Sequence, residues 1–123
     1  MNKQSAGIYI HIPFCKVKCI YCDFYSITER EHQREHFTQM LCTEIENYAK
    51  NNSFNYTIDT IFIGGGTPSL LTPNQLESIL NTLTKFYNLE NILEITMEAN
   101  PGEAPPEKLK AFKKLGINRL SMG

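Results

Sequence analysis

The chain has 123 residues, of which 41% are hydrophobic and 20% charged, and this describes one small globular domain. A formal net charge of −1 excludes broad electrostatic attraction to nucleic acid or to an anionic membrane. The polar start Met1–Ala6 is no signal peptide and no apolar run is long enough to span a bilayer, so the expected location is cytoplasmic.

The predicted elements alternate strand and helix. Gly7–Ile12 reads as a strand with Ile8, Ile10 and Ile12 on one face and Tyr9 and His11 on the other. A cysteine-bearing loop, Pro13–Tyr25, follows. A helix begins near Ser26–Thr28, where Ser26 with Glu29, or Thr28 with Glu31, would form a capping box. Phe37, Leu41, Ile45 and Tyr48 recur at helical spacing along it to about Lys50. Ile58–Ile63 is the second strand, broken by Gly64-Gly65-Gly66-Thr67-Pro68. The second helix opens with Thr72 as N-cap, Pro73 in the first turn and Gln75 completing a capping box, and Leu76, Ile79, Leu80, Leu83, Phe86 and Tyr87 form its buried stripe. Leu93–Glu98 is the third strand, with Leu93, Ile95 and Met97 on one face and Glu94, Thr96 and Glu98 on the other. A turn at Asn100-Pro101-Gly102 leads to a third helix, Pro106–Leu115, capped by Gly116. Ile117–Met122 begins a fourth strand.

Such alternation argues for parallel strands joined by right-handed crossovers. One face of the strands carries Tyr9, His11, Thr96 and Glu98, which suits a barrel or half-barrel with a polar interior rather than a sheet covered by helices on both faces. A complete barrel needs about twice this length or more, so the expectation is an incomplete one.

Four cysteines in a short chain suggest disulfides only in an oxidising compartment. Cys15, Cys19 and Cys22 fall within one loop, as a metal or cluster site would require. Three thiolates can hold three corners of an iron–sulfur cubane and leave one iron open for chemistry. Zinc held by these cysteines and His11 is the competing reading. Consecutive glycines at 64–66 let the backbone approach a ligand closely, yet the motif is neither a P-loop nor a dinucleotide fingerprint. Glu98 stands at the end of the third strand, where ligands bind in parallel βα architectures. The simpler reading of Lys108, Lys110, Lys113 and Lys114, and of His32 and His36, is a solvated helix face; that of Cys42 is a half-buried small hydrophobe.

Tyr9-Ile-His11-Ile-Pro13-Phe14-Cys15, the cysteine spacing and Tyr21-Cys22-Asp23-Phe24 resemble the radical S-adenosylmethionine (SAM) superfamily. More narrowly they resemble the oxygen-independent coproporphyrinogen III oxidase-like family, and Asp23-Phe24 is similar to its HemW-type haem chaperone branch. The oxidases carry a further cysteine two residues after the third; Phe24 stands there in this chain. The resemblance covers nearly all of residues 7–123. It implies an α/β fold: the N-terminal part, about three βα units plus a fourth strand, of a radical SAM partial TIM barrel. Residues 1–6 are then a short tail and 7–123 an incomplete radical SAM core.

The resemblance also implies a site. Cys15, Cys19 and Cys22 would hold a 4Fe–4S cluster with exchangeable SAM on its open iron. Gly65, Gly66 and Thr67 would bind the SAM amino group, Glu98 its ribose hydroxyls or another polar group, and Tyr9 and Tyr21 would line the pocket, with Tyr21 beside adenine. No residue is assigned as catalytic. Arg119 and Ser121 would face inward from the fourth strand. Reductive cleavage of SAM by the cluster is the implied chemistry, with the cofactors carrying it. A HemW-like protein would bind haem and pass it to an acceptor, aided by a reducing partner such as flavodoxin or ferredoxin. Its haem-associated segment would lie beyond this part of the chain. The rivals are coproporphyrinogen III oxidase activity in porphyrin biosynthesis, a zinc-binding module, and a fragment that does not fold alone.

Overall fold

A computed structural model describes residues 4–13, 27–51, 56–99 and 104–122. Cys15, Cys19, Cys22, Tyr21 and the side chains expected to cap the first helix lie outside the described residues. The elements are β1 (Gln4–Ile12), α1 (Ile27–Asn51), β2 (Tyr56–Gly65), α2 (Pro73–Phe86), β3 (Glu94–Ala99), α3 (Pro106–Leu115) and β4 (Arg119–Met122), with a 3-10 turn at Pro68–Leu70. The strands form one parallel sheet in the order β1-β2-β3-β4, the α/β arrangement expected.

Alternation along each strand assigns its two faces. Ile10, Ile12, Ile61, Ile63, Ile95 and Met97 are buried with Ile45, Leu76, Ile79, Leu83 and Phe112, so one sheet face packs on the helices. Each fully buried side chain of this size contributes about 1.5–3 kcal/mol, which outweighs the weak intrinsic preferences of the individual residues. Tyr9, His11, Phe62 and Glu98 belong to the opposite face.

α2 starts as its sequence dictates. Thr72 Oγ1 accepts from the Gln75 amide at 3.1 Å, and Gln75 Oε1 accepts from the Thr72 amide at 2.9 Å. α3 ends at Gly116, whose φ of +120° is one that side chains other than glycine rarely adopt.

Several boundaries differ from expectation. β1 starts at Gln4, so residues 4–6 of the expected tail belong to the sheet, paired with Tyr56–Ile58. The register shifts between Ala6 and Gly7, which carries the pairing from Ile58 to Thr60. A Cβ at Gly7 would stand 2.8 Å from Thr60 Oγ1, so a side chain there would have to displace that hydroxyl. Leu93 lies outside β3 and is 75% exposed. Tyr48, which recurs at helical spacing with Phe37, Leu41 and Ile45, is 54% exposed, and Phe86 and Tyr87, expected in the buried stripe of α2, are half-buried. Thr96 is fully buried although it belongs to the polar face.

Candidate functional site

Parallel pairing brings the C-terminal ends of all four strands to one rim. Tyr9 pairs with Phe62, Phe62 with Thr96 and Thr96 with Arg119, making one row across the sheet. Nearer the rim His11 pairs with Gly64 and Glu98 with Ser121. Register thus gathers residues that are far apart in sequence.

A chain of contacts links Phe62, Tyr9, His11, Gly65 and Glu98. The Tyr9 hydroxyl and His11 Nδ1 share a hydrogen bond at 3.1 Å. The Tyr9 ring stacks on Phe62, with centroids 5.9 Å apart and planes at 20°. The imidazole of His11 fills the place a side chain would take at Gly65: a Cβ there would lie 2.9 Å from two ring atoms and 2.5 Å from the Ile12 carbonyl oxygen. Gly65 also has φ +115°. Its amide donates to Glu98 Oε1 at 3.2 Å, bridging β2 to β3, and the Gly66 amide donates to the Ile12 carbonyl at 2.8 Å, bridging β2 to β1.

The two hydrogen bonds decide what this turn can recognise. A glycine-rich turn binds phosphate through free N–H groups. Here the Gly65 and Gly66 amides are held by Glu98 and Ile12. An anion at this turn would also meet the carboxylate of Glu98. The turn therefore favours a ligand that donates hydrogen bonds or carries positive charge, such as an ammonium group.

Of the expected site residues, Tyr9, Gly65, Gly66 and Glu98 come together at the rim. Tyr9 is 58% exposed and its ring is open to a ligand. Glu98 is half-buried. Thr67 is buried at 3% exposure, in the turn whose next residues form the 3-10 segment. Arg119 Nη1 pairs with Glu94 Oε1 at 3.3 Å, and both are substantially exposed. Ser69 Oγ and Thr96 Oγ1 are sealed from solvent and have no hydrogen-bond partner among the described residues. Gly64 joins the site from the glycine run, and Phe62 joins it without a sequence signal of its own. The run Ile58–Ile63 does not reveal which side of β2 faces the rim, and only the pairing with Tyr9 and His11 does.

A model of the Radical SAM superfamily matches residues 9–123. The chain belongs to the radical SAM superfamily. Heme chaperone HemW of Haemophilus influenzae is 39% identical over 122 residues, a match covering 95% of this chain and 32% of that protein. The mitochondrial radical S-adenosyl methionine domain-containing protein 1 of Danio rerio is 38% identical over 119 residues, covering 97% of this chain and 27% of the relative. The structure of coproporphyrinogen III oxidase (HemN) from Escherichia coli, described as a radical SAM enzyme, superimposes with a TM-score of 0.79 at 29% identity, over 98% of this chain and 28% of that one. This radical SAM chain therefore spans about a third or less of the length of the relatives it matches. Its four-stranded parallel sheet corresponds to the N-terminal part of the HemN-like fold. No helix among the described residues is long and apolar enough to cross a membrane.

The residues present fit the SAM half of a radical SAM site. The cradle at Gly65 excludes a side chain, its amides are spent on the protein, and a carboxylate and an exposed aromatic ring flank it. That combination suits an ammonium group attached to a polar, ring-bearing ligand.

Proposed function

We propose that this chain is the cluster- and SAM-binding part of a HemW-like haem chaperone. The observation that carries the SAM assignment is the glycine turn with its amides occupied by Glu98 and Ile12, which leaves a seat for an ammonium group. Cys15, Cys19 and Cys22 would hold a 4Fe–4S cluster, as membership of the superfamily implies. Gly65 and Gly66 would present backbone to the amino group of SAM, with Thr67 supporting the turn. Glu98 would accept from a hydroxyl with whatever capacity its bond to Gly65 leaves. Tyr9 and Tyr21 would line the adenine side. When bound, cluster and SAM together supply one-electron chemistry. The chain's own residues bind and orient.

The chaperone reading rests on relatives named Heme chaperone HemW, which are 36–41% identical to this chain. The solved oxidase is 29% identical. Phe24, standing where the oxidases are expected to carry a cysteine, supports the chaperone over the oxidase. Haem would be bound with regions beyond this chain and passed to an acceptor protein, with a flavodoxin- or ferredoxin-type reductant. The location would be the cytoplasm; the animal relatives are named mitochondrial.

Anaerobic reconstitution with iron and sulfide, followed by EPR of the reduced chain, tests this reading. The expected result is a 4Fe–4S signal that SAM perturbs and that Cys19→Ala abolishes. Zinc uptake without a cluster in a folded sample would overturn it.

A further inference from the structure

Gly64 has no conformational reason to be glycine. Among the described residues positive φ occurs only at Gly65 and Gly116, so Gly64 holds a backbone that any residue adopts. It lies in the last turns of β2, where β-branched residues pack best and glycine weakens a strand. What occupies its missing side chain is informative. A Cβ at Gly64 would collide with Glu98 Oε1, the same oxygen that accepts from the Gly65 amide, and would stand 3.2 Å from Glu98 Cδ and 2.8 Å from Phe62 Cε1.

We propose that Gly64 is a positioning residue: its absent side chain is the seat of the Glu98 carboxylate, and this seat holds Glu98 against the Gly65 amide. The idea deepens the SAM-site reading and rests on it for its ligand, but the seat itself is a property of the chain alone. With a methyl group at position 64 the carboxylate must swing away. The Gly65 amide then loses its acceptor and becomes a free donor at the turn, so the site loses its preference for an ammonium group. Phe62, whose ring edge flanks the same space and whose face carries Tyr9, is the competing contact.

A double-mutant cycle on the full chain separates these cases, since coupled neighbours depart from additivity. Gly64→Ala is expected to lower the melting temperature, and that loss is expected to shrink in a Glu98→Ala background. An equal loss in both backgrounds, or one relieved only by Phe62→Ala, overturns the proposal. If Gly64→Ala does not fold, Gly64→Ala/Glu98→Ala is still expected to fold; failure of both overturns it too. SAM binding to the reconstituted chain is the second readout. Gly64→Ala is expected to weaken affinity by about tenfold, with partial recovery in Gly64→Ala/Glu98→Asp, whose shorter carboxylate clears the methyl group. A wild-type chain that shows no affinity for SAM refutes the SAM-site reading while the melting cycle still decides the seat. SAM binding that is unchanged in Gly64→Ala overturns the positioning role alone.

Discussion

Gln75 Nε2 donates to Glu35 Oε2 at 3.1 Å, so the residue that closes the capping box of α2 also ties that helix to α1. Its amide is used at both ends: Oε1 on the Thr72 amide and Nε2 on Glu35. Thr72→Ala removes only the cap and is expected to cost about 1 kcal/mol. Gln75→Ala also frees Glu35 and should cost more. Gln75→Glu keeps an acceptor for Thr72 but sets a second carboxylate against Glu35, so its penalty should fall at acid pH. Urea denaturation of the three variants checks the order.

The two glycines with positive φ among the described residues should respond differently to alanine. At Gly116 the nearest atom to a new Cβ is Ile95 Cδ1 at 3.5 Å, ordinary contact, so only the backbone conformation is penalised, by about 1 kcal/mol. At Gly65 the same conformational penalty is joined by Ile12 O at 2.5 Å and the His11 ring at 2.9 Å. Gly65→Ala is expected to be the more destabilising by at least about 1 kcal/mol. Comparable melting temperatures for the two variants would contradict this.

Burial, and then the neighbouring phenol of Tyr48, pushes the Tyr87 hydroxyl above its ordinary value of 10.0. The folded chain therefore keeps this proton to higher pH than the unfolded chain does. The associated stability is present below the unfolded value and is lost as pH rises through the folded one. In ultraviolet titration one tyrosine should ionise late, and Tyr87→Phe should remove that phase. The same substitution should flatten the alkaline decline in unfolding free energy as pH rises above the ordinary value of 10.0.

Phe112 is fully buried and Leu93 is 75% exposed, although both are large apolar residues. Phe112→Ala is expected to cost about 3–5 kcal/mol and Leu93→Ala about 0.5 kcal/mol or less. Equilibrium unfolding distinguishes them readily.

The contrast between Leu93 and its neighbours shows where the chain is legible as a sequence. Local codes read correctly: Thr72, Pro73 and Gln75 adjoin one another, and Gly116 directly follows the helix it ends. The start of β3 obeys a distant partner instead. Asn118 Oδ1 accepts from the Ile95 amide at 2.9 Å, and Asn118 Nδ2 donates to the Leu93 carbonyl at 3.0 Å. One side-chain amide thus stands in for a strand neighbour at the start of β3, where the Leu93 amide still donates to the Asp59 carbonyl of β2 at 2.8 Å. No pattern around Leu93 announces a partner 25 residues away. Tyr48 lies on the same face of α1 as Phe37 and Leu41, yet it is 54% exposed, so its helical position alone does not decide its burial.

At the site the same division holds. Tyr9, Gly65 and Glu98 stand at strand ends, which the alternating pattern locates, and the structure brings them together. The hydrogen bond between Tyr9 and His11 joins residues two apart on one strand face, within reach of a careful reading. Phe62 and Gly64 acquire their places from register, which no single strand encodes. Cys15, Cys19 and Cys22, the cluster ligands expected from their spacing, lie outside the described residues.

Strand order in this sheet equals chain order. Each new strand adds to the outer edge of those already present, and none has to be threaded between two existing neighbours. On a ribosome, β2 can meet β1, and β3 can meet β2, without waiting for later sequence. The contact between Gly65 and Glu98 is then available once β3 has emerged, before β4 is made. The rim where Gly65 meets Glu98 is built in the direction of synthesis.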